Sequence, residues 1–174
     1  MADRRLRTYL RDHYAGSSTA LRTAQRCFAR NRGNVTGAFA QRLVGHIHSD
    51  RALLREVMDR AGARPDRIQS GMGRVSAAAS RLKLRGVLGS RPVTRIEELE
   101  ALTLGAAGRA ALWQALDAGC ADDLRFEGLD FAGRARRANE DLQTLEHLRR
   151  RAAADAFGRA KPASAAQRFA TDLG

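Results

Sequence analysis

Apolar residues recur at alternating steps of three and four along most of this chain, which is the spacing that places them on one face of an α-helix. In one such stretch the apolar positions run through Ala40, Leu43, Ile47, Leu54 and Val57. Stretches that contain glycine or proline interrupt the pattern. The sequence therefore predicts long helices over about residues 3–30, 35–61, 94–118 and 130–157, and a shorter one over about residues 66–85.

The composition agrees with an all-α fold. Aromatic residues make up 5% of the chain and there are 3 prolines, whereas alanine and leucine, which favour helix, are abundant. A length of 174 residues suits one domain with a core of its own. We expect a single helical domain over residues 1–157, followed by a flexible tail over residues 158–174.

The sequence also indicates where the protein resides. It has no apolar run near the ~20 residues of a membrane span, and its charged N-terminus lacks the apolar core of a signal peptide. Cys27 and Cys120 lie far apart and form no CxxC motif. Two isolated thiols are typical of reduced cysteines, so we expect a cytoplasmic protein without a membrane span.

Segment lengths predict the topology. A short turn at residues 31–34 makes the first two long helices antiparallel neighbours. The crossover helix over about residues 66–85 and the extended residues after it can travel back along the whole bundle. The third long helix would then run parallel to the second, in the up-down-down-up order of ferritin-like four-helix bundles.

Four stretches carry a resemblance to a known family: YLRDHYAGSSTAL, HSDRALLREVMDRAG, SRLKLRG and ELEALTLGAAGRAALWQAL. They resemble a poorly characterised bacterial family of ferritin-like four-helix bundles. The resemblance covers about residues 3–157 and implies the fold, but it implies no activity. The two-iron site of many ferritin-like bundles needs Glu-x-x-His on two helices. His46 and His147 instead follow Leu43 and Thr144 by three residues, so we expect no two-iron site.

The stretch GHIHSD holds the most suggestive polar residues. His46 and His48 are two apart and point about 200° away from each other on a helix. Asp50 occupies a position in the apolar seam, where a carboxylate needs a partner. His13 and Glu140 fall at nearly the same level of the bundle. Two interpretations stay open: a buried hydrogen-bonded pair of Asp50 and His13, or a single Fe, Mn or Zn ion bound by His13, His46, Asp50 and Glu140.

A second polar layer is expected on the other side of the bundle's mid-plane. Glu100, Glu146 and His147 fall there, roughly 5–8 Å from the mid-plane at 1.5 Å per helical residue. These side chains would line the bundle centre if their helices present them inward.

The net charge of +12 is concentrated in the first 95 residues. Such a distribution suits an anionic partner such as nucleic acid, although a chain in which 29 of the 31 basic residues are arginine is also typical of codon bias. Candidate phosphate-binding residues form a stripe on the first helix and a cluster at the end of the crossover helix: Arg22, Arg26 and Arg30, and Arg81, Lys83 and Arg85.

Taken together, these patterns predict a non-catalytic ferritin-like bundle that binds a protein partner or a second copy of itself. One alternative is a metal-binding or metal-oxidising protein with a degenerate site at the bundle centre. The other is a non-specific nucleic-acid-binding protein that uses its basic N-terminal half.

Overall fold

The computed structural model describes residues 2–63 and 91–158. Over these residues the chain forms four long helices and no strand. The expected crossover helix over about 66–85 lies outside the described residues, and so does all of the expected tail over 158–174 except residue 158. The helices are α1 (Ala2–Arg30), α2 (Val35–Arg60), α3 (Arg91–Cys120) and α4 (Phe131–Phe157), with one 3₁₀ turn at Leu124–Phe126.

The predicted helix boundaries agree with the observed ones to within three residues. The largest difference is the start of α3, because Pro92 lies inside its first turn, where a missing N–H leaves no hydrogen bond unmade. Asparagine and aspartate side chains cap two of the other helices. Asn34 accepts a hydrogen bond from the Gly37 N–H at 3.0 Å, and Asp130 accepts one from the Gly133 N–H at 2.7 Å. None of the described helices is long and apolar enough to cross a bilayer.

The α1 helix lies against both α2 and α3. Arg51 of α2 donates a hydrogen bond to the Tyr14 carbonyl of α1 at 3.2 Å, and its guanidinium stacks over the Tyr14 ring. Arg30 at the end of α1 forms an ion pair with Glu98 near the start of α3. These contacts hold α1 against α2 and α3.

The α2 helix faces α3 and α4 across the core. Arg95 of α3 donates to the Thr36 hydroxyl at 2.9 Å near the start of α2. Arg60 at the other end of α2 donates to the Glu127 carbonyl at 3.2 Å, just before α4 begins. The middle of α2 contacts both helices through charged and polar side chains.

Two apolar clusters form the core, one towards each end of the bundle. The first contains Leu43 and Ile47 of α2 with Leu99 of α3, and the second contains Leu54 of α2 with Trp113 of α3. The boundary between the clusters thus crosses α2 between residues 47 and 54. Both cysteines are free; Cys27 belongs to the first cluster and Cys120 packs against the second.

Two glycines of α2 differ in their surroundings. A Cβ added to Gly37 would lie 2.0 Å from the carbonyl oxygen of Asn31, whereas one added to Gly45 would meet no atom within 4 Å. The α1–α2 turn therefore requires glycine at position 37, because it leaves no room for a Cβ atom there. Position 45 has no such requirement, because it lies in an exposed part of the helix.

We expect Gly37→Ala and Gly45→Ala to change stability in opposite directions. Gly37→Ala forces the turn apart and should lower the free energy of unfolding by about 1–3 kcal/mol. Gly45→Ala should raise it by about 0.5–1 kcal/mol, because alanine loses less backbone entropy in a helix. Urea denaturation of both variants measures the difference. Equal effects of the two substitutions would contradict this account of the turn.

Candidate functional site: a buried arginine–carboxylate layer

The boundary between the two apolar clusters is occupied by charged side chains from three helices. Asp50 of α2, Arg109 of α3 and Asp141 of α4 are 5%, 7% and 4% exposed, respectively. Each lies at a position where the apolar seam of its helix would place a hydrophobic residue. We call these three residues the charged layer.

Arg109 joins the two carboxylates. Its Nε donates a hydrogen bond to Asp50 Oδ2 at 2.8 Å, and its Nη2 donates one to Asp141 Oδ2 at 3.0 Å. Guanidinium–carboxylate hydrogen bonds are charge-assisted and strong, and burial keeps water from competing for them. One cation therefore links carboxylates on two different helices.

Each carboxylate has a further partner closer to the surface. Arg134 of α4 donates from Nη1 to Asp50 Oδ1 at 3.2 Å and to the Ser49 hydroxyl at 2.6 Å. His46 of α2 places Nδ1 at 3.0 Å from Asp141 Oδ1. An ionised carboxylate only accepts hydrogen bonds, so Nδ1 carries the hydrogen in this contact. Two arginines, Arg109 and Arg134, thus lie against the two aspartates.

The prediction that Asp50 is buried is confirmed, since the residue is 5% exposed. Its partner differs from the expected one. Asp50 is paired with Arg109 and Arg134 rather than with His13. His13 instead packs edge-on against Tyr9, with ring centroids 4.5 Å apart. The height of a residue along the bundle axis was therefore a poor guide to the partner of Asp50, because the long side chain of Arg109 reaches Asp50 from α3.

The four candidate metal ligands do not come together. His46 faces Asp141 and Asp50 faces Arg109, while Glu140 is exposed. Within residues 2–63 and 91–158, no three His, Cys, Asp or Glu side chains are grouped so that they could hold a metal ion. His48 is exposed, as the 200° separation from His46 predicts.

The second predicted polar layer lies at the surface. Glu100 and His147 are exposed, and Glu146 is partly buried. Arg149 joins the two glutamates, at 2.8 Å from Glu146 and 3.9 Å from Glu100. The buried acid at this end of the bundle is Glu98, which the sequence interpretation did not include. Burial raises the pKa of the Glu98 carboxyl, with Arg30 and Arg26 acting in the opposite direction.

The arginine stripe of α1 is exposed along its length. Arg22 donates a hydrogen bond to the Thr19 hydroxyl at 3.1 Å, and Arg26 donates one to the Thr23 hydroxyl at 3.3 Å, both within the same helix. Arg30 differs, because its guanidinium is held by Glu98. Arg81, Lys83 and Arg85, the other part of the expected anion-binding set, lie outside the described residues.

Arg109, Asp141 and Arg134 were missed by sequence interpretation, although two of them follow the pattern that identified Asp50. Arg109 lies between Ala106 and Trp113 in the seam of α3, and Asp141 lies three residues after Ala138 in α4. A search for charged residues at seam positions would have found Arg109 in α3 as it found Asp50 in α2, whereas in α4 apolar periodicity favours Leu142 over Asp141.

Comparison of the chain with models of known protein families, with curated proteins and with solved structures gave no significant match.

We expect Arg109→Met to destabilise the fold strongly. The substitution leaves Asp50 and Asp141 buried without their shared cation, which should lower the free energy of unfolding by about 3–5 kcal/mol. Arg149→Met is the matched control, because Arg149 pairs with glutamates near the surface and should change stability by less than about 1 kcal/mol. Urea denaturation at neutral pH compares them. Similar losses for both variants would contradict a structural role of the charged layer.

The partly buried side chain of His13 should make the stability of the fold depend on pH. Burial lowers the pKa of His13 below its usual value of 6.5, with Asp12 acting in the opposite direction. The unfolded chain therefore takes up this proton first as the pH falls, so the stability associated with neutral His13 is present above about pH 6.5 and is lost below it. His13→Gln should reduce the loss of stability between pH 7.5 and pH 5. An unchanged loss, measured by urea denaturation at both pH values, would contradict this expectation.

Proposed function

We propose that this protein is a ferritin-like up-down-down-up bundle. Several contacts support the arrangement. Thr36 pairs with Arg95 and Asp50 pairs with Arg109, so residue numbers rise together along α2 and α3. Ala24 of α1 shares the first apolar cluster with Leu43 and Leu99, and Leu10 of α1 shares the second with Leu54 and Trp113. Residue numbers therefore change in opposite senses along α1 and its two neighbours. His46 with Asp141, and Arg60 with Glu127, change in opposite senses along α2 and α4.

Within that arrangement, we propose that the protein is a non-catalytic binding or scaffold protein. The observation that carries this proposal is the position of the Arg109 guanidinium between Asp50 and Asp141. Two carboxylates on helices that face each other across a bundle core are the ligands a metal ion would use. Here the protein supplies the positive charge itself.

A guanidinium in this position disfavours metal binding for two physical reasons. It occupies carboxylate oxygens that a metal ion would need, and its fixed charge repels a second cation in a region of low dielectric. Removing Arg109 from the carboxylates would also leave a buried charge unpaired. We therefore assign a structural role to the charged residues of the interior, and we assign binding to the surface of the bundle.

Metal content tests this proposal. We expect protein purified without a metal-affinity tag, from cells supplied with Fe, Mn and Zn, to contain much less than one metal ion per chain. Addition of each ion should leave the midpoint of thermal unfolding unchanged, because residues 2–63 and 91–158 contain no set of metal ligands that could gain from binding. A stoichiometric metal that is lost in His46→Gln would overturn the proposal in favour of the metal-binding alternative.

One observation favours non-specific nucleic-acid binding as a second candidate function. The exposed guanidiniums of Arg22 and Arg26 point from one face of α1 in a chain of net charge +12. Two arginines one helical turn apart can each contact a phosphate without reading base sequence.

Binding to a DNA duplex as a function of salt concentration tests the second candidate. We expect the double variant Arg22→Gln/Arg26→Gln to reduce the slope of log K against log salt by about 2, since each phosphate contact contributes about 0.9. Arg150→Gln is the control, because it removes one positive charge from the exposed side of α4, just as each of the two substitutions removes one from α1. A wild-type slope near zero, or no binding at about 50 mM salt, would exclude this candidate.

A further inference from the structure

Three buried side-chain nitrogens within residues 2–63 and 91–158 have no hydrogen-bond partner in the protein. They are Arg95 Nε, Arg109 Nη1 and Trp113 Nε1. Arg109 and Trp113 are four residues apart in α3, so their side chains leave the same face of that helix with Cβ atoms about 5–6 Å apart. Two unpaired N–H donors therefore occupy adjacent positions beside the charged layer.

Neither donor can turn away to find an acceptor. The guanidinium of Arg109 is held by the hydrogen bonds from Nε to Asp50 and from Nη2 to Asp141, which also fix the direction of Nη1. The ring of Trp113 is 0% exposed and stacks on Phe131 with centroids 6.1 Å apart. A buried N–H without an acceptor destabilises a fold, so this pair of donors points to an acceptor that the protein does not supply.

Two buried alanines give this part of the core its small side chains. Among the described residues, the buried apolar side chains belong to one of the two apolar clusters, with Ala110 of α3 and Ala138 of α4 as the exceptions. They are 4% and 0% exposed. A single methyl group fills less of the boundary between the clusters than the leucines on either side of it would fill.

The position of Ala138 along α4 lies between the levels of the two donors. Trp113 stacks on Phe131, whereas Arg109 donates to Asp141, ten residues further along the same helix. Ala138 is the buried residue one turn before Asp141. The smallest side chain of this interface is thus placed where the guanidinium and the indole ring approach each other.

The chemistry of the two donors defines the ligand. It must accept two hydrogen bonds, which excludes a metal cation, and it must be small. An anion would be repelled by Asp50 and Asp141, which already surround Arg109. Water is neutral, accepts two hydrogen bonds and donates two. Its own hydrogens have acceptors in the charged layer, since each carboxylate oxygen has two lone pairs.

We propose that one ordered water molecule is bound between Arg109 Nη1 and Trp113 Nε1 and accepts a hydrogen bond from each. Buried waters of this kind typically make about three hydrogen bonds to groups that would otherwise be unpaired. The site is independent of the proposed binding function. Its consequence is structural: the water completes the hydrogen bonds of the charged layer without changing its charge, and it joins that layer to Trp113 in the second apolar cluster.

A crystal structure of the full chain, at a resolution that shows ordered water, tests the site directly. We expect density for one water oxygen at about 2.7–3.2 Å from both Arg109 Nη1 and Trp113 Nε1. A protein oxygen in that place would overturn the proposal. An anomalous signal of chloride there, or no density between the two nitrogens, would overturn it as well.

NMR provides a second measurement, in solution. Trp113 is the single tryptophan of the chain, so its indole N–H gives one signal in a ¹⁵N-labelled sample. We expect cross-relaxation between this proton and water with opposite signs in the laboratory and rotating frames, because chemical exchange gives the same sign in both. The backbone amide of Val57, which is 0% exposed, should give no such signal. Its absence at Trp113 too would contradict a bound water.

A larger side chain at the boundary should expel the water. We expect Ala138→Val to abolish the water signal at the Trp113 indole, because it adds two methyl groups beside the site. Ala152→Val is the matched control, since it makes the same change at a residue that is 4% exposed in the first apolar cluster, and it should leave the signal unchanged. An unchanged signal in a folded Ala138→Val protein would contradict the proposed position. The wild-type measurements test the site even where overpacking unfolds the variant.

Discussion

The contact of Arg109 with Asp50 and Asp141 determines how the rest of this bundle is organised. It divides the core into two apolar clusters and lies at the boundary between them. Because the three side chains come from α2, α3 and α4, the contact sets the register of three helices at once. Apolar seams alone leave such a register weakly defined, since leucine and alanine pack acceptably after a shift of one turn. A buried charge that is moved away from its partner loses several kcal/mol, so the charged layer penalises those shifts.

The same contact explains what the interior of the bundle can do. Buried carboxylates on facing helices are the starting point for a metal site, yet here they are neutralised by an arginine of the same chain. Their hydrogen-bonding capacity is shared with Arg134 and His46 as well. We therefore assign the interior a structural role and place the binding function that we propose on the outer faces.

Most of the helical architecture was predictable from sequence, because apolar periodicity and capping residues are local signals. The breaks before Val35 and after Arg60 follow directly from neighbouring glycines and from Asn34. The burial of Asp50 was predictable for the same reason, as its seam position is visible in the sequence. The partners of Asp50 could not be predicted in this way. The choice of His13 used only height along the bundle, whereas pairing depends on which helix lies opposite and on how far each side chain reaches.

Asp141 shows a different limit of sequence interpretation. The seam of α4 can be drawn through Leu142 or through Asp141, and apolar periodicity alone favours the leucine. Only the positions of Arg109 and His46 around it make the aspartate the inward residue. A charged residue in one apolar seam can be assigned to the core when a residue of opposite charge occupies the seam that faces it.

Hydrogen exchange of the Arg109 Nε–H, followed by NMR of ¹⁵N-labelled protein, tests the central claim most directly. The structure buries this group and directs it at Asp50 Oδ2 at 2.8 Å. We expect it to exchange at least about a hundredfold more slowly than the Nε–H of the exposed Arg150, because exchange requires the bundle to open. Asp50→Asn should remove much of that protection. Exchange of Arg109 as fast as that of Arg150 would contradict the account, because it would place the guanidinium in solvent instead of between the two carboxylates.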